Sequence, residues 1–305
     1  MNTRREALGI GAALLAAALW RRNLAAAPRI IFAVVRHAAP EEMTALTAWK
    51  TLAAAGSVYA AAKAVGNDAT SQWNALLRSN DVAALNAELQ PSVAELALRA
   101  DLCCPLIASG PVEALHTVVP ESLSTLRFSA QGMSRCTLPP PAALSPALEM
   151  ALQVLGQSAR SSATALALRE TIAAGLLDPG SGADKVLFTA VQAANRISTR
   201  MNAPLTTLLL DAPEDNRSAW FAGLDRGLAE IAATTASLVL AALPRPVADA
   251  KEPPRMALLF CGPAFKSLGL VRNGGSSLDV APTVAHALGL KLQGARGNVL
   301  RAVLA

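Results

Sequence analysis

The chain has 305 residues, of which 52% are hydrophobic and 16% are charged, so enough apolar side chains are present to build a large core and intrinsic disorder is excluded. The net charge is +5, and residues 1–27 carry +3 of it through four arginines and one glutamate. The rest of the chain is therefore close to neutral. With only 4% aromatic residues, it shows neither the basic surface nor the stacking residues of a nucleic-acid-binding protein.

The N-terminus has the features of an export signal. Arg4 and Arg5 precede an apolar run over 7–20, which is short for crossing a hydrocarbon core about 30 Å thick. The arginine pair resembles a twin-arginine (Tat) signal, which exports folded proteins across the bacterial inner membrane. Small residues at 25–27 offer a cleavage site, but Pro28 disfavours cleavage there. We expect a periplasmic protein, either released or anchored through this segment; the alternative is a cytosolic protein with an amphipathic N-terminus.

After this segment, the hydrophobic pattern predicts alternating strands and helices. Continuous β-branched and apolar residues predict a buried strand over 30–35. Apolar spacing then predicts a helix over 44–56, with Gly56 as its C-terminal cap, and a short strand over 57–60. In the first half of the chain, further helices are predicted over 71–77, 81–89 and 92–99, a strand over 103–108, a Pro-rich loop over 138–146 and Ala-rich helices over 146–176.

The second half continues the alternation and determines the predicted fold class. Helices are expected over 184–201, 218–236 and 279–290, and strands over 205–210, 238–242 and 256–261. This order predicts an α/β fold with a mostly parallel central sheet and helices on both faces. Few residues fall outside the alternation, so we expect one domain over 28–305 after an N-terminal signal or anchor over 1–27.

The four cysteines lack the spacing of a metal site. In an oxidising compartment one or two disulfides are possible, and buried free thiols are equally compatible with the sequence. The residues are Cys103, Cys104, Cys136 and Cys261.

The C-terminal part carries the most specific motif. A strand that ends in Gly262-Pro263 is followed by D-V-A-P-T at 279–283 and by L-G-L at 288–290. This succession resembles the alkaline phosphatase superfamily, especially its sulfatase and type I phosphodiesterase branches. The resemblance extends in order over 28–305 and implies the α/β fold of that superfamily in a single domain.

The resemblance implies hydrolysis of phosphate or sulfate esters with divalent metals and a Thr, Ser or modified Cys nucleophile. The chain departs from that pattern at the expected ligands. The first strand should end in a metal-binding aspartate, but Arg36 and His37 follow it, and a fixed positive charge opposes a cation. The nucleophile position holds Ala69, with Thr70 and Ser71 beside it.

The middle metal site shows a second departure. It has the carboxylates Asp211, Glu214 and Asp215 but no histidine, and the histidines expected near 241–246 and 273–275 are missing. Because the departures coincide with ligand positions, the sequence predicts a protein without metal-dependent hydrolysis and without a cofactor. It would act as a binding or accessory protein, with Arg36 and His37 as candidates for a small anion or a phosphate- or sulfate-bearing ligand.

Two other functions stay open. One is a divergent phosphoesterase or sulfatase with Thr70 as nucleophile and with zinc, calcium or magnesium held by Asp211 and Asp215. The other is a purely structural partner of an envelope protein. No nucleic-acid partner is expected, and membrane contact is expected only through the N-terminal segment.

Several candidate residues also have ordinary structural interpretations. His37 is either a lone base or a polar residue at a strand end. Thr70 and Ser71 are either candidate nucleophiles or helix N-caps. His286 is predicted to lie in the core or at its boundary, and His116 in an exposed loop.

Overall fold

The computed structural model describes residues 28–59, 62–66, 68–81, 91–100, 106–109, 125–129, 132–136, 183–200, 203–246, 252–272 and 274–305. The predictions for 1–27, Cys103, Cys104 and His116 lie outside these residues. So do the Pro-rich loop, the Ala-rich helices over 146–176 and nearly all of the helix predicted over 81–89.

Within the described residues, nine strands form one sheet. In chain order they are β1 Ile30–Arg36, β2 Gly56–Tyr59, β3 Leu106–Ser109, β4 Thr125–Ser129, β5 Gly132–Cys136, β6 Leu205–Asp211, β7 Ser237–Leu243, β8 Ala257–Cys261 and β9 Gly269–Val271. Their order across the sheet is β5-β4-β3-β6-β1-β7-β8-β2-β9.

The centre of the sheet is parallel. β4, β3, β6, β1 and β7 run in one direction, and β9 runs parallel to β2. β5 is antiparallel to β4, and β8 is antiparallel to both of its neighbours. The predicted α/β fold with a mostly parallel sheet is confirmed, although the sequence pattern did not show β4, β5 or β9.

Helices cover both faces of the sheet, so each face forms its own hydrophobic core. Alternate residues of β1 therefore point into different cores. Ile30, Phe32 and Val34 pack in one cluster and Ile31, Ala33 and Val35 in the other. The first cluster includes residues of α3 Ala69–Arg78, α4 Val93–Arg99 and α7 Ser277–Ala287, and the second includes residues of α1 Pro40–Ala45, α2 Thr47–Ala54, α5 Ala183–Arg200 and α6 Arg217–Ala232. None of the described helices is long and apolar enough to cross a membrane.

The single helix predicted over 44–56 is wrong. Leu46 has an extended conformation, with φ −65° and ψ 139°, and separates α1 from α2. Gly56 does not cap α2; the C-cap is Ala55, and Gly56 begins β2. Glycine is required there because a Cβ would lie 2.5 Å from the carbonyl oxygen of Phe260 on β8.

The D-V-A-P-T motif lies on α7, which begins two residues before Asp279. Ser276 and Asp279 form a capping box at its start. At its end, Gly289 has φ +74°, its N–H donates to His286, and Leu290 N–H donates to Ala285, which is a Schellman motif. The prediction of a core position for His286 is wrong, because its side chain is exposed on the outer face of α7.

Cys261 is a free thiol on β8. Burial raises its pKa to about 12, which keeps the thiol protonated near neutral pH. Of the two interpretations left open for the cysteines, the free buried thiol is the one found at this position.

The close contact between α5 and α6 depends on a glycine. A Cβ at Gly223 would overlap the backbone of Asp184, so Gly223→Ala forces the two helices apart. We expect the free energy of unfolding to fall by about 1–3 kcal/mol, measured by chemical denaturation. Ala222→Ser, at an exposed position of the same helix, is the control and should change it by no more than about 0.5 kcal/mol. Equal effects of the two substitutions would contradict this packing.

Candidate functional site

The carboxyl ends of three parallel strands meet at one edge of the sheet. Arg36, the last residue of β1, is in register with Asp211 at the end of β6 and with Leu243 at the end of β7. In open α/β sheets, ligands bind outside the carboxyl ends of the strands. The predicted candidates Arg36, His37 and Asp211 are therefore brought together where a ligand site is expected.

Arg36 is a buried cation, with a relative exposure of 9%. Its guanidinium carbon lies 5.4 Å from the ring centroid of Trp73 on α3, a cation–π distance. One of its nitrogens lies 3.2 Å from Nε2 of His37. Within the part of the chain that the structure describes, Arg36 forms no ion pair with a carboxylate.

His37 connects Arg36 to Asp211. Its Nδ1 lies 2.8 Å from Oδ1 of Asp211, although the two groups are not oriented as a regular hydrogen bond, so the attraction is chiefly electrostatic. Because a guanidinium only donates, Nε2 of His37 must accept, which places the ring proton of the neutral imidazole on Nδ1. The lone pair that a catalytic base would use is therefore already occupied by Arg36.

The backbone of His37 is held in an uncommon conformation. Its φ is +56°, a left-handed value that is rare for residues other than glycine and tends to occur at functional sites. Arg217, the first residue of α6, stabilises this turn, since its Nη2 donates to the His37 carbonyl at 2.9 Å. Its Nη1 donates to the carbonyl of Pro213 at 3.0 Å, which joins the loops after β1 and β6.

Glu42 on α1 fixes the orientation of Arg217. Nη2 of Arg217 lies 2.6 Å from each carboxylate oxygen of Glu42, and the Ala39 N–H donates to the same carboxylate at 2.8 Å. Partial burial raises the pKa of Glu42, but the hydrogen bonds from Arg217 and Ala39 outweigh that effect. The pKa of Glu42 therefore lies below its ordinary value, and its carboxylate is charged near neutral pH.

An open cleft of about 420 Å³ lies beside His37. Arg245, after β7, forms an exposed ion pair with Glu214 at 2.7 Å across its rim. The cleft therefore has two guanidinium groups and two carboxylates and no excess of either charge. Its lining residues are His37, Ala39, Glu42, Glu214, Arg217, Pro244 and Arg245.

The start of α3 corrects one interpretation of Thr70 and Ser71. Neither is the N-cap, which is Asp68, whose carboxylate accepts from the N–H of Ser71 at 2.9 Å and from its hydroxyl at 2.6 Å. These bonds hold the pKa of Asp68 below its ordinary value. Thr70 lies half-buried in the first turn of α3, the helix whose Trp73 packs under Arg36.

Two buried donors follow on the same helix. The side chains of Gln72 and Trp73 are 4% and 2% exposed, and within the described residues neither Nε2 of Gln72 nor Nε1 of Trp73 has a hydrogen-bond partner. Neither residue was predicted as part of a site, nor were Glu42, Arg217 and Arg245. Trp73 lies four residues after Ala69, and no local pattern indicates that an arginine of another element contacts it.

The donor set does not fit a divalent metal. Asp211 faces His37, Glu214 faces Arg245, and Asp215 is exposed. The described residues contain no group of three or more His, Cys, Asp or Glu side chains that could hold a metal ion. Divalent cations need several oxygen or imidazole ligands, and the charge of Arg36 opposes a cation at the adjacent strand end.

No family model and no curated protein matches the chain by sequence. Solved structures do match it. A protein in the alkaline phosphatase superfamily from Vibrio parahaemolyticus is 11% identical with a TM-score of 0.58, over 92% of this chain and 71% of the other. The chain has the alkaline phosphatase fold.

Two further structures share this fold. A sulfatase from Pseudoalteromonas sp. is 11% identical with a TM-score of 0.56, over 88% of this chain and 70% of its own. The lipoteichoic acid synthase LtaP from Listeria monocytogenes is 11% identical with a TM-score of 0.51, over 90% and 74%. The predicted alkaline-phosphatase-like fold is confirmed, and at this identity the likeness shows the fold alone.

The pair formed by Glu42 and Arg217 predicts a pH-dependent contribution to stability. Glu42→Gln should lower the free energy of unfolding at pH 7 by about 1 kcal/mol, because a charge-assisted, partly exposed hydrogen bond is lost. The folded-state pKa of Glu42 is lowered, so this contribution is present above the ordinary value of 4.5 and is lost as pH falls through the folded pKa.

Denaturation of wild type and Glu42→Gln between pH 3 and about pH 7 measures this difference, which should shrink in acid. Glu41→Gln is the matched control, since Glu41 is an exposed carboxylate in the same first turn of α1. A Glu41→Gln effect as large as that of Glu42→Gln would show that helix charge, and not Arg217, is responsible.

Proposed function

We propose that the chain is a member of the alkaline phosphatase superfamily that has lost metal-dependent hydrolysis and acts as a binding or accessory protein. The observation that carries this proposal is the buried Arg36 guanidinium at the end of β1. The superfamily resemblance implies a metal-binding aspartate at that position. A guanidinium there repels a divalent cation and interacts with the lone pair of His37 that a metal would need.

The ligand that we propose for this site is a small anion or a phosphate- or sulfate-bearing molecule. A buried cation without a carboxylate partner is costly, and an anion would offset that cost. The unpartnered N–H groups of Gln72 and Trp73 lie on α3, and Trp73 is in contact with Arg36. Guanidinium and N–H donors are the groups that hold oxyanions in proteins. One of the fold neighbours is a sulfatase, which is consistent with this ligand class.

A hydrolase is the second candidate, because Thr70 lies in the first turn of α3, half-exposed and close in sequence to Trp73 under Arg36. In that alternative Thr70 would be the nucleophile, and Asp211 and Asp215 would bind zinc, calcium or magnesium. A metal bound by Asp211 would lie at the strand end next to Arg36, whose positive charge opposes it. This repulsion makes the hydrolase the weaker candidate.

The proposed location is the periplasm. Support comes from the sequence of residues 1–27, with its arginine pair and its apolar run, which resembles a Tat signal. The same segment would serve as an inner-membrane anchor if it is retained.

The test of lost hydrolysis is the metal content of the purified protein together with turnover of aryl phosphate, phosphodiester and aryl sulfate substrates. We expect less than stoichiometric zinc, calcium or magnesium, and the same background turnover in wild type and Thr70→Ala. Bound metal together with turnover that disappears in Thr70→Ala would establish the hydrolase instead.

The test of anion binding is thermal unfolding in sodium sulfate or phosphate against sodium chloride at equal ionic strength. We expect the oxyanions to raise Tm by about 2–4 °C, as saturable ligands do when they bind only the folded state. Arg36→Met and Trp73→Phe, which keep most of the packing, should abolish that increase. Arg245→Met is the control, because Arg245 is exposed and paired with Glu214. Equal increases in wild type and Arg36→Met would refute binding at this site.

A further inference from the structure

A second surface stands out at the far edge of the sheet. Leu268 and Leu270 have exposures of 45% and 60%, and they are the large hydrophobic side chains that the described residues leave exposed. Both lie at β9, the last strand of the sheet, which is paired only with β2. The seven residues 266–272 have Lys266 and Arg272 at their ends, Ser267 and four apolar or glycine residues between them, and no acidic residue.

Two more cations extend this edge. Lys63 forms β-bridges with Arg255 and Ser276, so it lies beyond the end of β2, next to the segment that follows β9. Lys63, Arg255, Lys266 and Arg272 are all exposed, and among the described residues none of them forms an ion pair. We call Leu268, Leu270 and these four cations the β9 edge.

Acidic groups near the β9 edge do not neutralise it. Asp279 accepts hydrogen bonds from the backbone and hydroxyl of Ser276 and from the N–H of Asn298, so its carboxylate is held at the start of α7. Glu252 is exposed and lies three residues before Arg255 in the chain. Among the described residues, four cations against the two carboxylates Asp279 and Glu252 leave the β9 edge positive.

The backbone that presents the two leucines is fixed. The hydroxyl of Ser57 on β2 donates to the carbonyl of Lys266 at 2.6 Å and accepts from the N–H of Leu268 at 3.1 Å. Ser57 itself is fully buried. The backbone next to the exposed leucines is therefore fixed to β2 by hydrogen bonds.

We propose that the β9 edge binds the surface of an anionic phospholipid membrane. Exposed leucines flanked by lysine and arginine suit such a surface, because the apolar side chains enter the headgroup boundary while the cations are attracted to lipid phosphates. This contact goes beyond the expected attachment through residues 1–27.

Two other occupants fit the β9 edge less well. A second copy of the chain would bring four cations against four cations, and like charges across an interface are unfavourable. An added peptide strand needs a regular edge, but β9 has three residues and Gly269 within it has φ +65°, which interrupts the extended ladder. An anionic lipid surface carries the opposite charge and can be bound without a regular edge strand.

The experiment is vesicle co-sedimentation of the full chain with phosphatidylglycerol and with phosphatidylcholine vesicles. Four proteins are compared: wild type, Leu268→Ser/Leu270→Ser, Lys266→Glu/Arg272→Glu, and the control Lys50→Glu/Lys291→Glu. The control changes two exposed lysines that are not part of the β9 edge and alters the net charge by the same amount as the lysine and arginine variant. Thermal unfolding of each variant confirms that it is folded.

We expect wild type and control to bind phosphatidylglycerol at least tenfold more tightly than either β9 variant, with binding weakened by salt. Equal affinity in all four proteins would overturn the proposal and assign membrane binding to the N-terminal segment. The proposal would also be overturned if Lys266→Glu/Arg272→Glu and the control lost vesicle binding to the same extent. Net charge alone would then account for the binding. Concentration-dependent self-association that is lost in the leucine variant, without vesicle binding, would identify a second copy as the occupant.

Discussion

The charge of Arg36 is the constraint around which the strand-end site is arranged. Removing a guanidinium from water costs on the order of several kcal/mol unless nearby groups compensate for the lost hydration. Here the compensation comes from the face of Trp73 on one side and from Nε2 of His37 on the other. Neither is an anion. Because Nε2 of His37 accepts from Arg36, the ring proton lies on Nδ1, the nitrogen that is 2.8 Å from Oδ1 of Asp211, and the charge of Arg36 opposes a cation at this strand end.

The surrounding scaffold holds this arrangement in place. The parallel register of β6, β1 and β7 places their last residues side by side, and Arg217 joins the loops after β1 and β6. The left-handed backbone conformation of His37 is stabilised by Arg217, which donates to the His37 carbonyl and is itself oriented by Glu42. In the proposed function, these strand ends present a cation, and the bound ligand would supply the negative charge.

Much of the fold was predictable because hydrophobic runs report burial. Ile30–Arg36, Leu205–Asp211 and Ser237–Leu243 read as buried strands, and they are the central parallel strands. The break at Leu46 and the strand β9 were not predictable, since a three-residue edge strand and a single extended residue leave no periodic signal. At the site, Arg36 and His37 could be predicted as candidates because they directly follow or end the first strand. Asp211 could be predicted as a candidate from the superfamily resemblance. Contacts between distant elements, such as Arg36 with Trp73 and Arg217 with Glu42, depend on tertiary packing that no local pattern encodes.

In the proposed function, a guanidinium occupies the end of β1, where the superfamily resemblance implies a metal ligand. Anomalous diffraction at the zinc edge, from crystals of the full chain grown with excess zinc, tests it directly. The account predicts no zinc peak at Asp211, with Arg36 still in contact with Trp73 and His37. A zinc ion ligated by Asp211 together with His37 or Asp215, with the Arg36 side chain displaced, would contradict it.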